Sequence, residues 1–147
     1  MEKKIFLSIE TSLNRIYLTL INSTKVYSIK KAVSRSIEVD INILLKKLFL
    51  KAGLFYEQLD SVLVSLGPGS FTGVRVGLSV AKAITSSLNI KLYGYSNFFS
   101  IFQQAKKNKI FFDKKDIDIL IQATKYDFYY QQYFTRENKF GKIMFIN

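Results

Sequence analysis

Residues 59–88 read LDSVLVSLGPGSFTGVRVGLSVAKAITSSL, and the order of residue types predicts a strand, a turn and a helix in direct succession. The apolar run at 62–64 is typical of a strand that is covered on both faces. Glycines and a proline mark the turn at 67–73, and apolar side chains recur at helical spacing through 74–88. Phosphate-binding loops commonly occur between a buried strand and a helix, so this turn is the first candidate for a functional site.

Two known phosphate-binding motifs do not fit the spacing of the turn. A Walker A loop has four residues between its glycines and then a lysine, whereas five residues separate Gly67 from Gly73 here and Val74 follows. A dinucleotide fingerprint needs its third glycine at the position that Thr72 occupies. Neither motif is therefore present.

A purely structural interpretation of the turn stays open beside the functional one. The glycines would allow a sharp change of direction, Pro68 would stiffen it, and Ser70 or Thr72 would cap the following helix. On this interpretation we expect Gly69 or Gly73 to have a backbone conformation that is costly for other residues. Valine at either position would then destabilise the protein by about 1 kcal/mol or more.

The flanking segments extend this unit into a mixed sheet. Alternating apolar residues predict strands at 5–10, 15–21 and 26–30, and an apolar stripe predicts a helix at 36–52 that stops at Gly53. Downstream, the sequence predicts a strand at 91–94, a helix at 96–106 capped by Ser96, a connecting stretch at 106–115, and strands at 118–123, 128–134 and 142–146. The order strand–strand–strand–helix–strand–helix–strand indicates a mixed α/β sheet, and the last three strands resemble the start of a second such unit.

Size and composition indicate an ordinary folded protein. The chain has 147 residues, 48% of them hydrophobic and 22% charged, which is enough for one domain with a core. Its longest apolar runs fall short of the roughly 18 residues that cross a bilayer, and no signal peptide is recognisable. We therefore expect a cytoplasmic protein that does not bind membranes.

The missing residue types exclude several kinds of chemistry. The chain has no cysteine, which excludes disulfides, thiolate nucleophiles and zinc–thiolate sites. It has no histidine, which excludes a Ser-His-Asp triad and imidazole-ligated metals, and makes a protease very improbable. The composition leaves an all-carboxylate metal site open, but the eleven acidic residues are scattered and form no calcium-loop pattern, so we expect no metal site. Since imidazole and thiol groups are both missing, we also expect no catalytic residue.

The net charge of +11 has two interpretations. Such an excess of lysine and arginine is typical of proteins that bind RNA or another polyanion. The abundance of Lys, Ile, Asn, Phe and Tyr is also what an AT-rich genome would impose by mutation alone. The sequence does not decide between them.

The helix after the turn has a smooth stripe of small residues. Gly73, Gly77 and Ala81 recur every four residues, and Val76, Val80 and Ala83 line the adjacent face. A second helix could pack closely on this stripe, although burial inside the domain would explain it equally well. The predicted partner interface combines these residues with the apolar stripe of helix 36–52; its members are Leu44, Leu48, Gly73, Val76, Gly77, Val80, Ala81 and Ala83.

Residues 67–77 closely resemble a known family signature. GPGSFTGVRVG matches the GPGSFTGxRxG motif of the TsaB family, also called YeaZ, and Ile9-Glu10-Thr11-Ser12 is similar to the opening motif of that family. Residues 88–96 resemble its xLxIPxxGVSSL segment, and residues 123–130 resemble its DARxxEVY strand pair more weakly. The resemblance covers roughly residues 5–134, and the glycine-turn signature is its specific part.

The resemblance implies a fold and a division of the chain. The fold would be that of the actin-like ATPases, which is ribonuclease H-like, with two related lobes. Residues 1–112 would form a complete N-terminal lobe and residues 113–147 the start of a truncated second lobe. Family members are usually considerably longer, so we expect the cleft between lobes, where a nucleotide would bind, not to form fully.

The resemblance also implies a function. Members act as non-catalytic subunits of the complex that adds a threonylcarbamoyl group to the adenosine beside the anticodon of tRNA. The partners would be a TsaD-like catalytic subunit and a TsaE-like ATPase, with a homodimer forming when TsaD is absent and only indirect contact with tRNA. We expect no cofactor for this chain alone and ATP binding only at the level of the complex.

The candidate site residues combine the glycine turn with the end of the first strand. They are Glu10, Thr11, Ser12, Gly67, Pro68, Gly69, Ser70, Thr72, Gly73 and Arg75. An alternative function for the same residues is that of a small actin-like or sugar kinase-like ATPase acting alone. Such an enzyme needs an aspartate to position magnesium, and Asp127 is the one acid suitably placed in the sequence.

Two motifs depart from the family pattern. The family usually has a histidine near the segment that corresponds to residues 34–38, and none is present here. The DAR of its second lobe appears as Gln122-Ala123-Thr124, which removes the aspartate and arginine side chains from that strand end.

Overall fold

The computed structural model describes residues 4–13, 15–23, 25–34, 36–110 and 115–147. The chain divides into two compact units, Met1–Tyr95 and Ser96–Asn147. Within the described ranges, no helix has both the length and the apolar character needed to span a membrane.

The first unit is a five-stranded sheet with two helices. Its strands are β1 (Ile5–Glu10), β2 (Arg15–Asn22), β3 (Lys25–Ala32), β4 (Ser61–Ser65) and β5 (Lys91–Tyr95), and its helices are α1 (Ile37–Ala52) and α2 (Phe71–Leu88). The spatial order is β3-β2-β1-β4-β5, with β1, β4 and β5 parallel and β2 and β3 antiparallel to their neighbours. A short 3-10 turn at Tyr56–Gln58, which the sequence did not predict, precedes β4.

Local signals fix both helices of this unit. The Ser36 hydroxyl accepts a hydrogen bond from the Val39 amide at the start of α1, and Gly53 ends the helix in a left-handed conformation with φ of 65°. The Ser70 hydroxyl accepts from the Gly73 amide at the start of α2. The predicted stop at Gly53 and the predicted cap at Ser70 are therefore confirmed.

One apolar core lies between the sheet and the two helices. Alternate residues of β1 and β2 point into it, as the period of two in a strand requires, and the apolar stripe of α1 covers them. Buried members include Leu7, Ile9, Leu18, Ile41, Leu44, Leu48, Val62 and Val64. Burial of each such side chain contributes about 1.5–3 kcal/mol relative to leaving it in water.

The second unit contains one helix and an antiparallel sheet. Its elements are α3 (Asn97–Lys107), β6 (Ile117–Gln122), β7 (Phe128–Phe134), β8 (Lys139–Phe140) and β9 (Met144–Ile146). β7 pairs with β6 on one side and with β8 and β9 on the other. A separate apolar core joins α3 to this sheet through Phe98, Phe102, Ile119 and Ile121.

The predicted order of elements is confirmed, with three differences in position. α2 begins at Phe71 rather than Val74, since its cap is Ser70. The last predicted strand, 142–146, is shorter, and an additional strand, β8, precedes it. The contact boundary after Tyr95 lies earlier than the expected lobe boundary at 112/113, because α3 packs within the second unit. The boundary between lobes stays a prediction, and residues 111–114 of the expected connector lie outside the described ranges.

Candidate functional site

The end of β1 and the glycine turn lie against each other with no room for side chains at three glycines. A Cβ at Gly69 would overlap the Ser12 carbonyl oxygen, and one at Gly73 would overlap the Thr11 carbonyl oxygen. A Cβ at Gly77 would overlap the Thr11 hydroxyl. Glycine at these positions therefore brings the first turns of α2 into direct contact with the backbone that follows β1.

The prediction that Gly69 or Gly73 has a costly backbone conformation is wrong. Neither Gly69 nor Gly73 has a positive φ, whereas Gly67 has φ of 84°. Gly67 thus needs glycine for its backbone conformation, and Gly69 and Gly73 need it for the space at Cα. The sequence indicated that Gly69 and Gly73 matter to the turn, but the left-handed residue of the turn is Gly67.

Hydrogen bonds fasten this contact. The Thr11 hydroxyl donates to the Gly73 carbonyl at 2.6 Å, and the Ser70 amide donates to the Ser12 carbonyl at 2.8 Å. The Ser65 hydroxyl accepts from the Gly67 amide at 3.0 Å. The strand ends and the turn are thereby joined into one rigid corner of the unit.

Glu10 is buried at this corner, and its carboxylate accepts hydrogen bonds from the loop that directly follows β1. Its Oε1 accepts hydrogen bonds from the Ser12 amide at 2.5 Å and the Ser12 hydroxyl at 2.6 Å. Its Oε2 is also buried and has no hydrogen-bond partner among the described residues. The main role of the carboxylate in this arrangement is to hold the turn after β1.

A tyrosine hydroxyl lies near Glu10 on the opposite face of the sheet from α1 and α2. Burial raises the pKa of Tyr95, the negative charge of Glu10 raises it further, and a hydrogen bond with Ser8 lowers it in part. The Tyr95 and Ser8 oxygens are 3.5 Å apart. The Tyr95 hydroxyl is protonated at neutral pH, as that of an unperturbed tyrosine also is.

The chemistry available at the corner is limited. The polar groups of Thr11, Ser12 and Ser70 are used in hydrogen bonds within the chain. Asp127, the candidate magnesium aspartate, accepts a hydrogen bond from the Thr124 hydroxyl inside the turn between β6 and β7. Among the residues with described positions, no group of three acidic, histidine or cysteine side chains could hold a metal ion.

A depression of about 370 Å³ lies beside the corner, at the N-terminal ends of α1 and α2. It brings together three candidate turn residues and Thr11 with two apolar residues, one that directly follows β3 and one that begins α1. Its lining is Thr11, Val33, Ile37, Ser70, Thr72 and Gly73. The structure thus groups part of the predicted turn around a concave surface. Thr72 and Ser70 are exposed there.

Five of the eight predicted interface residues do not lie at the surface. Gly73, Gly77 and Ala81 face the chain's own β1 side, and Leu44 and Leu48 lie in the core. The prediction for these five is wrong. The smooth stripe allows α2 to lie close to the sheet, and the apolar stripe of α1 covers the same sheet.

The other three predicted residues are not fully buried, although Val76 and Val80 also pack against the core of the first unit. Val76 and Val80 are half-buried and Ala83 is exposed. Val76 and Val80 line a groove of about 280 Å³ between α1 and α2, together with Glu38, Asn42, Arg75 and Ser79. The groove also places Arg75, a predicted turn residue, on the helix surface and away from the corner.

The sequence reasoning missed the outer face of α1. Val39 and Ile43 are 44% and 42% exposed, one turn apart, next to the groove residues Glu38 and Asn42. α1 carries two apolar stripes, and the stronger one, which predicts a partner surface, forms the core instead. The weaker stripe, formed by Val39 and Ile43, was the sequence signal that could have identified this exposed face.

The sequence and fold of this chain are similar to those of several known proteins. A family model described as TsaD, tRNA N6-adenosine threonylcarbamoyltransferase, matches residues 23–141. A protein of Buchnera aphidicola from Schizaphis graminum, named tRNA threonylcarbamoyladenosine biosynthesis protein TsaB, is 27% identical over 88% of this chain and 60% of its own length. The protein of the same name from Buchnera aphidicola of Acyrthosiphon pisum is 26% identical over 91% of this chain and 59% of its own length.

The chain belongs to the TsaB/YeaZ group of the TsaD family. The solved structure of YeaZ from Pseudomonas aeruginosa has the same fold, with a TM-score of 0.81 at 19% identity over 97% of this chain and 67% of that chain. The expected actin-like, ribonuclease H-like fold class is therefore confirmed. The chain spans about 60% of the length of the curated TsaB relatives that it matches.

Proposed function

We propose that this TsaB/YeaZ family chain is a non-catalytic subunit of the machinery that makes tRNA threonylcarbamoyladenosine, and that it binds and stabilises a TsaD-like catalytic subunit. The observation that carries the proposal is the match of a TsaD family model to residues 23–141, together with TsaB-named relatives that align with nearly nine-tenths of the chain. The modified base would be the adenosine beside the anticodon. Since tRNA is modified in the cytoplasm, the same proposal places the chain there.

The corner at β1 supports a structural role over a catalytic one. Its hydroxyl groups and one carboxylate oxygen are engaged in bonds that hold the corner together. The turn has no lysine to contact a phosphate. The alternative, a small actin-like or sugar kinase-like ATPase acting alone, has no specific observation in its favour.

The outer surface of α1 and α2 supports a role in binding. Val39 and Ile43 are exposed beside a groove that Val76 and Val80 line. A helix of a TsaD-like subunit could lie along this surface, which we name the α1–α2 surface: Glu38, Val39, Asn42, Ile43, Arg75, Val76, Ser79 and Val80. A TsaE-like ATPase, a homodimer in the absence of TsaD and indirect contact with tRNA belong to the same proposal.

Co-purification with the TsaD-like subunit of the same organism tests the proposal. We expect the two proteins to elute as one complex. Val80→Glu should weaken the complex by several kcal/mol, because it places an unpaired charge in an apolar contact. Lys125→Glu, in the turn between β6 and β7, is an exposed control that also changes a surface charge.

Two results would contradict the proposal. The first is a wild-type chain that does not bind the TsaD-like subunit by sedimentation at micromolar concentration. The second is steady ATP hydrolysis by the purified chain that Thr72→Ala or Arg75→Ala abolishes, which would favour the ATPase alternative.

A further inference from the structure

Phe71 is a large aromatic residue that the fold leaves in water. It is the first residue of α2, its side chain is 75% exposed, and it belongs to neither apolar core. Exposed single apolar residues are common on protein surfaces, so exposure alone has no functional meaning. Phe71 differs from such residues because Arg75, one helical turn further along α2, lies over its ring.

Arg75 stacks on that ring. Its guanidinium carbon lies 5.1 Å from the centroid of the Phe71 ring, as the i to i+4 spacing of a helix allows. Stacking keeps the guanidinium flat and limits its rotamers, so less conformational entropy is lost when it forms hydrogen bonds. The pair therefore presents a preorganised cation at the surface.

The Arg75 guanidinium has no acidic partner within the described residues. The ion pairs found there join Lys31 to Asp40 and Lys139 to Glu137. Glu38 lines the same groove as Arg75 but forms no ion pair with it. The five donors of a guanidinium favour two parallel bonds to one carboxylate, and those donors are free for a ligand here.

We propose that Phe71 and Arg75 form an anchor that binds a carboxylate on a surface helix of the TsaD-like subunit. This inference rests on the proposed function and adds the chemistry by which the α1–α2 surface recognises its partner. The carboxylate would form a bidentate pair with Arg75, the Phe71 ring would exclude water from one side, and Val76 and Val80 would pack beside it.

Three features identify an acidic helix of a TsaD-like protein as the occupant. This chain carries a net charge of +11, so an acidic surface is attracted to it and a basic one is repelled. The TsaD family model matches residues 23–141, a range that includes α1 and α2, so a TsaD-type subunit contains a segment related to these two helices. Aromatic and arginine side chains are also the residue types that most often dominate the binding energy of an interface.

The test measures the affinity of the full chain for the TsaD-like subunit by isothermal titration calorimetry. Arg75→Glu should weaken binding by about 30-fold or more, which corresponds to a hot-spot residue. Phe71→Ala and Arg75→Lys should each weaken it by about tenfold, because the first removes the stack and the second removes the planar fork. Lys125→Glu, which changes the net charge by the same amount as Arg75→Glu, should stay within about threefold of wild type.

Salt provides a readout that a purely structural effect would not change. The wild-type affinity should fall as the salt concentration rises, and this dependence should be weaker in the Arg75→Glu variant than in Lys125→Glu, which carries the same net charge. Lysine at the matching acidic position of the TsaD-like subunit should restore binding to Arg75→Glu. Since Arg75 and Phe71 are both exposed, the variants should have wild-type melting temperatures.

The outcomes separate the anchor from the proposed function. If Val80→Glu abolishes binding while Arg75→Glu and Phe71→Ala bind within about threefold of wild type, the anchor is wrong and the proposed function stands. If the wild-type chain does not bind at all, both are overturned. If Arg75→Glu dissociates a homodimer and leaves TsaD binding unchanged, the carboxylate comes from a second copy, where Glu38 is the available acid, and the proposal is again overturned.

Discussion

Three glycines, one in the turn and two in α2, have atoms of the segment after β1 at the place where a side chain would begin. Gly69 and Gly73 lie against the Ser12 and Thr11 carbonyl oxygens, and Gly77 lies against the Thr11 hydroxyl. Backbone atoms cannot rotate away, so a methyl group here forces the helix and the strand end apart. By contrast, Gly53 has open space at Cα and needs glycine only for its φ of 65°.

Gly73→Ala should therefore be strongly destabilising. We expect it to lower the free energy of unfolding by about 2 kcal/mol or more, because overpacking against fixed backbone is added to the loss of the Thr11–Gly73 hydrogen bond. Gly53→Ala should cost about 1 kcal/mol, from the left-handed conformation alone. Urea unfolding of both variants checks the difference. Equal stability of Gly73→Ala and wild type would show that the corner is not tightly packed.

At the level of whole elements, strand alternation and helix signals in the sequence predicted the β-β-β-α-β-α-β order. They succeeded because the apolar residues of β1 and β2 repeat every two positions and because Ser70 and Gly53 are strong helix boundaries. Which face of a helix meets the sheet is a tertiary property, and there the sequence was ambiguous. The apolar stripe that contains Leu44 and Leu48 predicts a surface for a partner, but an apolar stripe is equally suited to the core, and both residues lie there.

The corner between the end of β1 and the glycine turn was also only partly predictable from the sequence. The sequence brought together Glu10, Thr11 and the glycine turn because a strand end and a following turn are usual places for a site. It could not show that these groups bond to one another, since that depends on the distance between two segments far apart in the chain. The anchor at Phe71 and Arg75 was likewise visible only once the ring was seen to be exposed and stacked.

The two stripes of α1 should respond differently to truncation. Leu48→Ala should lower the free energy of unfolding by about 2–5 kcal/mol, because it removes a fully buried side chain from the core. Ile43→Ala, at a 42% exposed position, should change it by less than about 1 kcal/mol and should instead weaken binding to the TsaD-like subunit. Thermal unfolding and calorimetric binding separate the two effects. A large loss of stability in Ile43→Ala would place that residue in the core and remove it from the α1–α2 surface.

For the molecule as a whole, two separate cores have a functional consequence. The core of the first unit is built from residues between Ile5 and Leu92, and the second joins α3 to its own sheet. The α1–α2 surface and the Phe71–Arg75 anchor both lie in the first unit. The chain matches about 60% of the length of its TsaB relatives, yet the unit that carries the proposed binding surface has a five-stranded sheet with two helices.

A fragment of residues 1–95 should therefore fold and bind by itself. All strands of its sheet are paired within the fragment, and its core needs no residue from the second unit. We expect cooperative thermal unfolding, and affinity for the TsaD-like subunit within about threefold of the full chain, since proposed contacts come from α1 and α2. Circular dichroism and calorimetry are the measurements, and Arg75→Glu in the fragment is the control for specific binding. A fragment that folds but does not bind would place part of the interface in residues 96–147, because the α1–α2 surface would then be intact but insufficient.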